Sequence, residues 1–165
     1  MTISPNTLLA EALRSEIEKL RRVQGEAAAN RADFADRAPE SLRDLRGIAG
    51  NLADIYQGAE NALQRIARAT GEGLPAGREW HRELLDQMSR EAPGMRPPVL
   101  RDVTRTALEP FRSFRHLARH RYGFDLEWAE IEPLLAIAES AVAALVDDLE
   151  AFCALLDQVT TDEET

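Results

Sequence analysis

The chain has 165 residues and a formal net charge of −9, and its length is that of a single domain. Hydrophobic residues make up 44% and charged residues 30% of it, which is the composition of a globular protein and excludes a disordered one. An acidic chain repels phosphate, so its total charge taken alone argues against a nucleic-acid partner.

Helices dominate the predicted structure. The 26 alanines and 21 leucines far outnumber the 13 valines and isoleucines, a bias toward helix formers and away from the β-branched residues that fill sheets. Apolar residues at spacings of three and four predict a first amphipathic helix over residues 8–23 and a longer second one over 42–66. Gly71 and Gly77 close the second helix, and residues 80–88 form a short third one.

A fourth and a fifth helix follow a proline-rich break. The fourth is predicted over residues 100–122, where Gly123 stops it, and Pro110 inside it should kink the helix or mark a short break. The fifth is predicted over residues 128–156. Pro133 is tolerated there only if it lies in the first turn, where a backbone N–H is not needed.

The short connections between these helices predict an all-α, up-and-down antiparallel bundle of four to five helices. Residues 1–159 would form this single domain, and the polar tail, residues 160–165, is expected to fray. The lone cysteine, Cys153, excludes a disulfide framework and is predicted to be part of the core. No apolar run approaches the ~20 residues of a membrane span, so we expect a soluble, cytoplasmic protein with no membrane partner.

The net charge is distributed unevenly along the chain. Residues 1–100 carry 14 positive and 15 negative side chains, residues 101–122 carry six and two, and residues 123–165 carry none and twelve. The three sums are −1, +4 and −12, so the acidic total belongs almost wholly to the last helix and the tail. The exclusion of nucleic acid therefore fails, and RNA would have to bind at residues 101–122.

The candidate chemistry lies in this basic segment. The sequence has no glycine-rich phosphate loop, paired-cysteine metal site, His-Glu-x-x-His or Gly-x-Ser-x-Gly motif. Of the three histidines, His81 stands apart, whereas His116 and His120 lie where arginine is densest. Tyr56 and Glu60, four apart on the second helix, are expected to be buried structural residues behind this segment.

At 100° per residue, four side chains of the predicted fourth helix share one face: Arg112, Arg115, Arg119 and Tyr122.

A phosphodiester can be cleaved without metal when a base takes the ribose 2′-hydroxyl proton and a fixed cation stabilises the charged phosphorane. Histidine suits the first role because its pKa lies near working pH. Arginine suits the second because its planar fork matches two phosphate oxygens.

The spacing Arg115-x4-His120-x-Tyr122 resembles the Arg-x4-6-His motif of the HEPN ribonucleases, in the tighter form Arg-x4-His-x-Tyr that marks the HepT toxins. The residues around it, 114–128, also resemble HepT-like proteins, and the likeness covers roughly residues 42–156. The fold that this resemblance implies is the HEPN-like helical bundle.

The activity that the resemblance implies is that of the toxin in a type II/VII-like HEPN/MNT toxin–antitoxin module. Such a protein is a homodimeric endoribonuclease without metal or cofactor, and the motif helices of its two protomers line a cleft at the dimer interface. Arg115 and His120 map onto the catalytic pair, for phosphate stabilisation and general base or acid, and the product would be a 2′,3′-cyclic phosphate. Tyr122 maps onto the tyrosine to which the antitoxin, an MntA-type nucleotidyltransferase, transfers AMP.

Other interpretations of the same residues stay open. Arg112, His116 and Arg119 are candidates to bind RNA or to support the catalytic pair, and the arginines can equally be solvated or ion-paired surface. His116 and His120 have the spacing of two metal ligands, although the flanking arginines would repel a cation. Tyr122 can instead anchor a helix end. The alternative function is a non-catalytic helical bundle that binds a nucleotidyltransferase through the same surface.

Overall fold

The computed structural model describes residues 3–163, and in this range the chain folds into five α-helices without a β-strand. The helices are α1 (Pro5–Asp33), α2 (Leu42–Ala69), α3 (Trp80–Met88), α4 (Asp102–His120) and α5 (Trp128–Glu163), with one 3-10 turn at Gly123–Asp125. The prediction of an all-α fold is confirmed. No helix in the described part of the chain is both long and apolar enough to cross a membrane.

Ion pairs show how α1 and α5 run relative to each other. Three arginines along α1 pair with carboxylates of α5: Arg14 with Asp157, Arg21 with Glu150, and Arg31 with Glu139. The residue numbers rise along α1 and fall along α5, so the two helices are antiparallel. Exposed pairs of this kind contribute little to stability, but they compensate part of the −12 charge that residues 123–165 carry.

The other helix pairs follow the same antiparallel order. Hydrogen bonds between α1 and α2 include Val23 with Asn51 and Glu16 with Arg65. The residues that flank α4, Arg101 and Arg121, pair with Asp148 and Glu130 of α5. The four long helices therefore form the predicted up-and-down bundle, and α3 packs across α2 and α4. The core lies between them, and Cys153 belongs to it as expected.

The helix ends have local causes in the sequence. Ser4 begins α1, because its hydroxyl accepts the N–H of Asn6 and Pro5 follows at the first helical position. Ser41 begins α2 in the same way, since its hydroxyl accepts the N–H of Asp44 at 3.0 Å. Gly71 follows α2 with a φ of 75°, a conformation that other residues rarely adopt.

The end of α4 differs from the prediction. The helix passes through Pro110 without a break but ends at His120, and the backbone is already extended at Arg121 and Tyr122. Gly123 then begins the 3-10 turn, packed so closely on Arg46 that a Cβ would overlap its side chain. The helical periodicity of residues 100–120 therefore does not extend to Tyr122.

One expectation about α5 was wrong. Pro133 lies in the second turn rather than the first, and it leaves the carbonyl of Ala129 without a helical donor. Ala129 is exposed, so water can take the place of that donor. At the other end the helix includes residues 160–163 of the predicted tail, and the hydroxyl of Thr160 donates back to the carbonyl of Leu156. Residues 164 and 165 of that tail lie outside the described residues.

A buried arginine holds the loops on either side of α3. The side chain of Arg96 is 2% exposed, and its Nε and Nη2 each donate to one carboxylate oxygen of Glu72 at 2.7 Å. Its remaining N–H groups donate to the carbonyls of Gln87, Arg90 and Pro97. One guanidinium therefore joins the segment after α2 to the segment before α4.

We expect Arg96→Met to lower the free energy of unfolding by about 3–5 kcal/mol, because it leaves the Glu72 carboxylate buried and unpaired. Burial alone would raise the pKa of Glu72, but hydrogen bonds led by that from Arg96 hold this pKa below its usual value. The pair therefore stabilises the fold at neutral pH, and this contribution is lost as pH falls through the lowered pKa.

Urea denaturation followed by circular dichroism measures the effect at pH 7 and again in acid. Arg90→Met, at an exposed arginine of the same loop, is the matched control and should stay within about 0.5 kcal/mol of the wild type. Equal losses in the two variants would contradict the assigned role of Arg96.

Candidate functional site

A pocket of about 270 Å³ lies between α4 and the start of α3. Six basic side chains line it: Arg78, His81, Arg112, Arg115, His116 and Arg119. A single carboxylate, that of Glu79, lies among the lining residues. Four of these six groups are guanidinium cations, and such an excess of positive charge around one concave surface attracts anions. The structure thus brings Arg115 together with all three predicted supporting residues.

Arg115 is buried rather than presented on the surface. Its side chain is 8% exposed, and its Nη1 donates to Glu60 at 3.0 Å while its Nη2 donates to Gln57 at 2.5 Å. The guanidinium also lies 5.7 Å from the centre of the Tyr56 ring. These contacts from α2 hold the guanidinium in one position at the wall of the pocket.

The same carboxylate also holds His81. Oε2 of Glu60 lies 2.6 Å from Nδ1 of His81. Because a carboxylate only accepts hydrogen bonds, the imidazole ring donates through Nδ1. The hydroxyl of Tyr56 donates to the backbone carbonyl of His81, and the Trp80 ring packs against the imidazole. Tyr56 and Glu60 are therefore buried behind the motif, as predicted.

The other arginines of the pocket differ in how far they are already paired. Arg112 donates to both carboxylate oxygens of Glu109, and these hydrogen bonds to Glu109 raise the pKa of Arg112. Arg78 and Arg119 are exposed and form no ion pair within residues 3–163. Arg78 was missed in the sequence because it lies in the irregular segment before α3, where no periodicity marks it.

His116 and His120 contact each other at the end of α4. Their ring centres are 4.6 Å apart in an edge-to-face arrangement, and both residues are exposed. His120 is not one of the residues that line the pocket. In the described part of the chain no three His, Cys, Asp or Glu side chains are grouped to hold a metal ion, so the alternative of a metal site lacks its third ligand.

Tyr122 does not share a helix face with Arg115, contrary to the prediction, because α4 ends before it. Its side chain is 74% exposed and stacks on Phe124, with ring centres 5.2 Å apart and planes 7° from parallel. Its hydroxyl has no hydrogen-bond partner among residues 3–163. The interpretation of Tyr122 as an anchor for a helix end is therefore wrong.

Residues 47–156 match the family described as HepT-like protein. The matched region is about two thirds of the chain and includes all the side chains that line the pocket. The chain belongs to the HepT-like family of the HEPN superfamily. No curated protein and no solved structure matches it.

The burial of Tyr56 predicts an unusual alkaline titration. Burial, and then the nearby Glu60 carboxylate, raise the pKa of Tyr56 well above its usual value. Because the folded state disfavours the phenolate, the contribution of Tyr56 to stability should be constant below about pH 10 and be lost as pH rises above it.

Tyr122→Phe leaves Tyr56 as the only tyrosine, so tyrosinate absorbance then reports this group alone. We expect that absorbance to appear together with the loss of helical circular dichroism. Ionisation near pH 10 in a protein that is still helical would contradict the buried position.

Proposed function

We propose that this protein is a metal-independent endoribonuclease, the toxin of a type II/VII-like HEPN/MNT toxin–antitoxin module, and that it acts at the pocket on α4. The observation that carries the proposal is the set of six basic side chains around one pocket, on the motif helix of a HepT-like protein. Imidazole can transfer the protons and guanidinium can stabilise the negative charge in phosphodiester cleavage without metal.

Arg115 would stabilise the charged phosphorane. Glu60 and Gln57 already hold its guanidinium in place, so little reorganisation is needed when negative charge develops. The Glu60 carboxylate compensates part of the charge of Arg115, and the unpaired Arg78 and Arg119 would supply the rest of the positive potential.

His120 would act as general base or acid. In the cleavage step the ribose 2′-oxygen loses its proton to a base and attacks phosphorus, and the 5′-oxygen leaves and takes a proton from an acid. The products are a 2′,3′-cyclic phosphate and a free 5′-hydroxyl. The exposed imidazole at the end of α4 is accessible to a strand that lies along this face.

A homodimer would complete the site. His120 does not line the pocket of its own protomer, and its exposed position leaves it accessible to a second copy of α4. A cleft between two motif helices would bring His120 of one protomer near the arginines of the other. Analytical ultracentrifugation tests this arrangement, and a monomer at micromolar concentration would contradict it.

The protein purified free of any antitoxin should cleave single-stranded or transfer RNA in the presence of EDTA. His120→Ala should lower the rate at least about 100-fold, since it removes the proton-transfer group. Arg115→Lys should cleave more slowly than the wild type, because an ammonium group cannot reproduce the planar guanidinium that Glu60 and Gln57 hold in place. Product analysis should find the 2′,3′-cyclic phosphate.

Arg82→Ala, at an exposed arginine of α3 that does not line the pocket, is the matched control and should cleave normally. Undiminished cleavage by His120→Ala would overturn the catalytic assignment. A tight complex with a nucleotidyltransferase in the absence of any RNA cleavage would favour the non-catalytic alternative. The ion pair between Arg115 and Glu60 is compatible with that alternative.

Tyr122 would be the acceptor of AMP from the antitoxin nucleotidyltransferase. Its oxygen would attack the α-phosphorus of ATP and pyrophosphate would leave, which adds bulk and negative charge beside the basic face. The exposure of its side chain supports this role, whereas the buried Tyr56 provides an internal control.

Incubation with ATP and the cognate nucleotidyltransferase should add AMP to Tyr122 and abolish cleavage. Mass spectrometry of peptides should find the added mass on Tyr122 and none on Tyr56, and Tyr122→Phe should accept none. Neutralised activity with Tyr122 unmodified would contradict this assignment and indicate inhibition by complex formation.

A further inference from the structure

Two aromatic side chains lie exposed next to the end of α4. Tyr122 is 74% and Phe124 62% exposed, whereas the other seven phenylalanine, tyrosine and tryptophan side chains are buried or partly buried. The two rings are nearly parallel and stack with each other, and both residues remain mostly exposed. An exposed aromatic pair in a chain with so few aromatic residues indicates a binding role.

The backbone holds the two rings in a defined place. Tyr122 precedes the 3-10 turn, and its carbonyl accepts the N–H of Asp125 at 2.9 Å. The turn ends at Leu126, which is buried in the core. The platform, defined as Tyr122 and Phe124, is therefore presented from a turn that is anchored at one end.

A cation lies against Gly123, the residue between the two platform residues. Gly123 separates Tyr122 from Phe124 in the sequence. The side chain of Arg46, from α2, packs on this glycine so closely that a Cβ on Gly123 would overlap it. Arg46 is exposed and forms no ion pair within residues 3–163. Its guanidinium is thus available to an anionic group next to the turn that carries the platform.

We propose that the platform stacks a base of single-stranded RNA and that Arg46 binds a neighbouring phosphate of the same strand. Aromatic side chains next to a cation are the combination that binds unpaired nucleotides, because every base has a flat face and every linkage a negative charge. Bases in a duplex are already stacked on one another and do not present that face. The proposal rests on the ribonuclease function proposed above and names how the substrate is held.

The probe is a 2′-O-methyl octaribonucleotide with one 2-aminopurine, which cannot be cleaved and whose fluorescence falls when its base stacks. Phe124→Leu should weaken binding about tenfold and reduce the quenching, and Phe124→Trp should retain both. Arg46→Gln should also weaken binding and lower the slope of log Kd against log salt by about 0.7. Circular dichroism checks that each variant is folded.

Two matched controls separate the site from the rest of the surface. Arg43→Gln removes an exposed arginine one turn away on α2, and Met95→Ala removes an exposed apolar side chain outside the platform. Both should bind the octamer as the wild type does. Weakening by the controls equal to that by Phe124→Leu would overturn the proposal.

The outcomes also separate this proposal from the one on which it rests. If Phe124→Leu binds the octamer as tightly as the wild type while the wild type cleaves RNA, the platform is overturned and the ribonuclease assignment stands. If stacking depends on Phe124 but unmethylated RNA is not cleaved, the platform is supported and the ribonuclease assignment fails. Binding of 2-aminopurine riboside triphosphate as tight as that of the octamer would overturn the assignment to an RNA strand.

Discussion

The position of the candidate site depends on one buried carboxylate, that of Glu60. It accepts hydrogen bonds from Arg115 on α4 and from His81 on α3, and it is itself part of α2. A buried charge is stable only while its partners are in place, and removing one partner of such a pair typically costs ~3–5 kcal/mol. The three helices around the pocket are therefore joined at one point, and the orientation of Arg115 is set by α2 and α3 as much as by its own helix.

The ion pairs of the structure determine which arginine side chains remain without a carboxylate partner. Three of the four arginines of α1 are paired with carboxylates of α5, and Arg112 is paired with Glu109. The cations without such partners within residues 3–163 include Arg46, Arg78 and Arg119, which lie around the pocket and the platform. An acidic protein thus presents a local basic surface, and the total charge says little about what it binds.

Several features of the site could be predicted because they depend on local patterns. The burial of Tyr56 and Glu60 follows from their spacing on the apolar side of a long helix, and both are buried. The prediction that placed Tyr122 on the face of Arg115 was wrong because helical periodicity holds only while the helix continues. The close approach of Arg46 to Gly123, from a different helix, has no counterpart in the local sequence.

The sequence by itself determined the helical class, the up-and-down order of the long helices and the family, because periodicity, short connections and motif spacing are properties of neighbouring residues. Only the tertiary structure decided that Arg115 is buried against α2, that Arg78 joins the pocket, and that Tyr122 stacks on Phe124 in the open. These arrangements depend on contacts between helices distant in the chain and on where α4 ends. Tertiary packing selects these contacts and the end of α4 from among local conformations of similar energy.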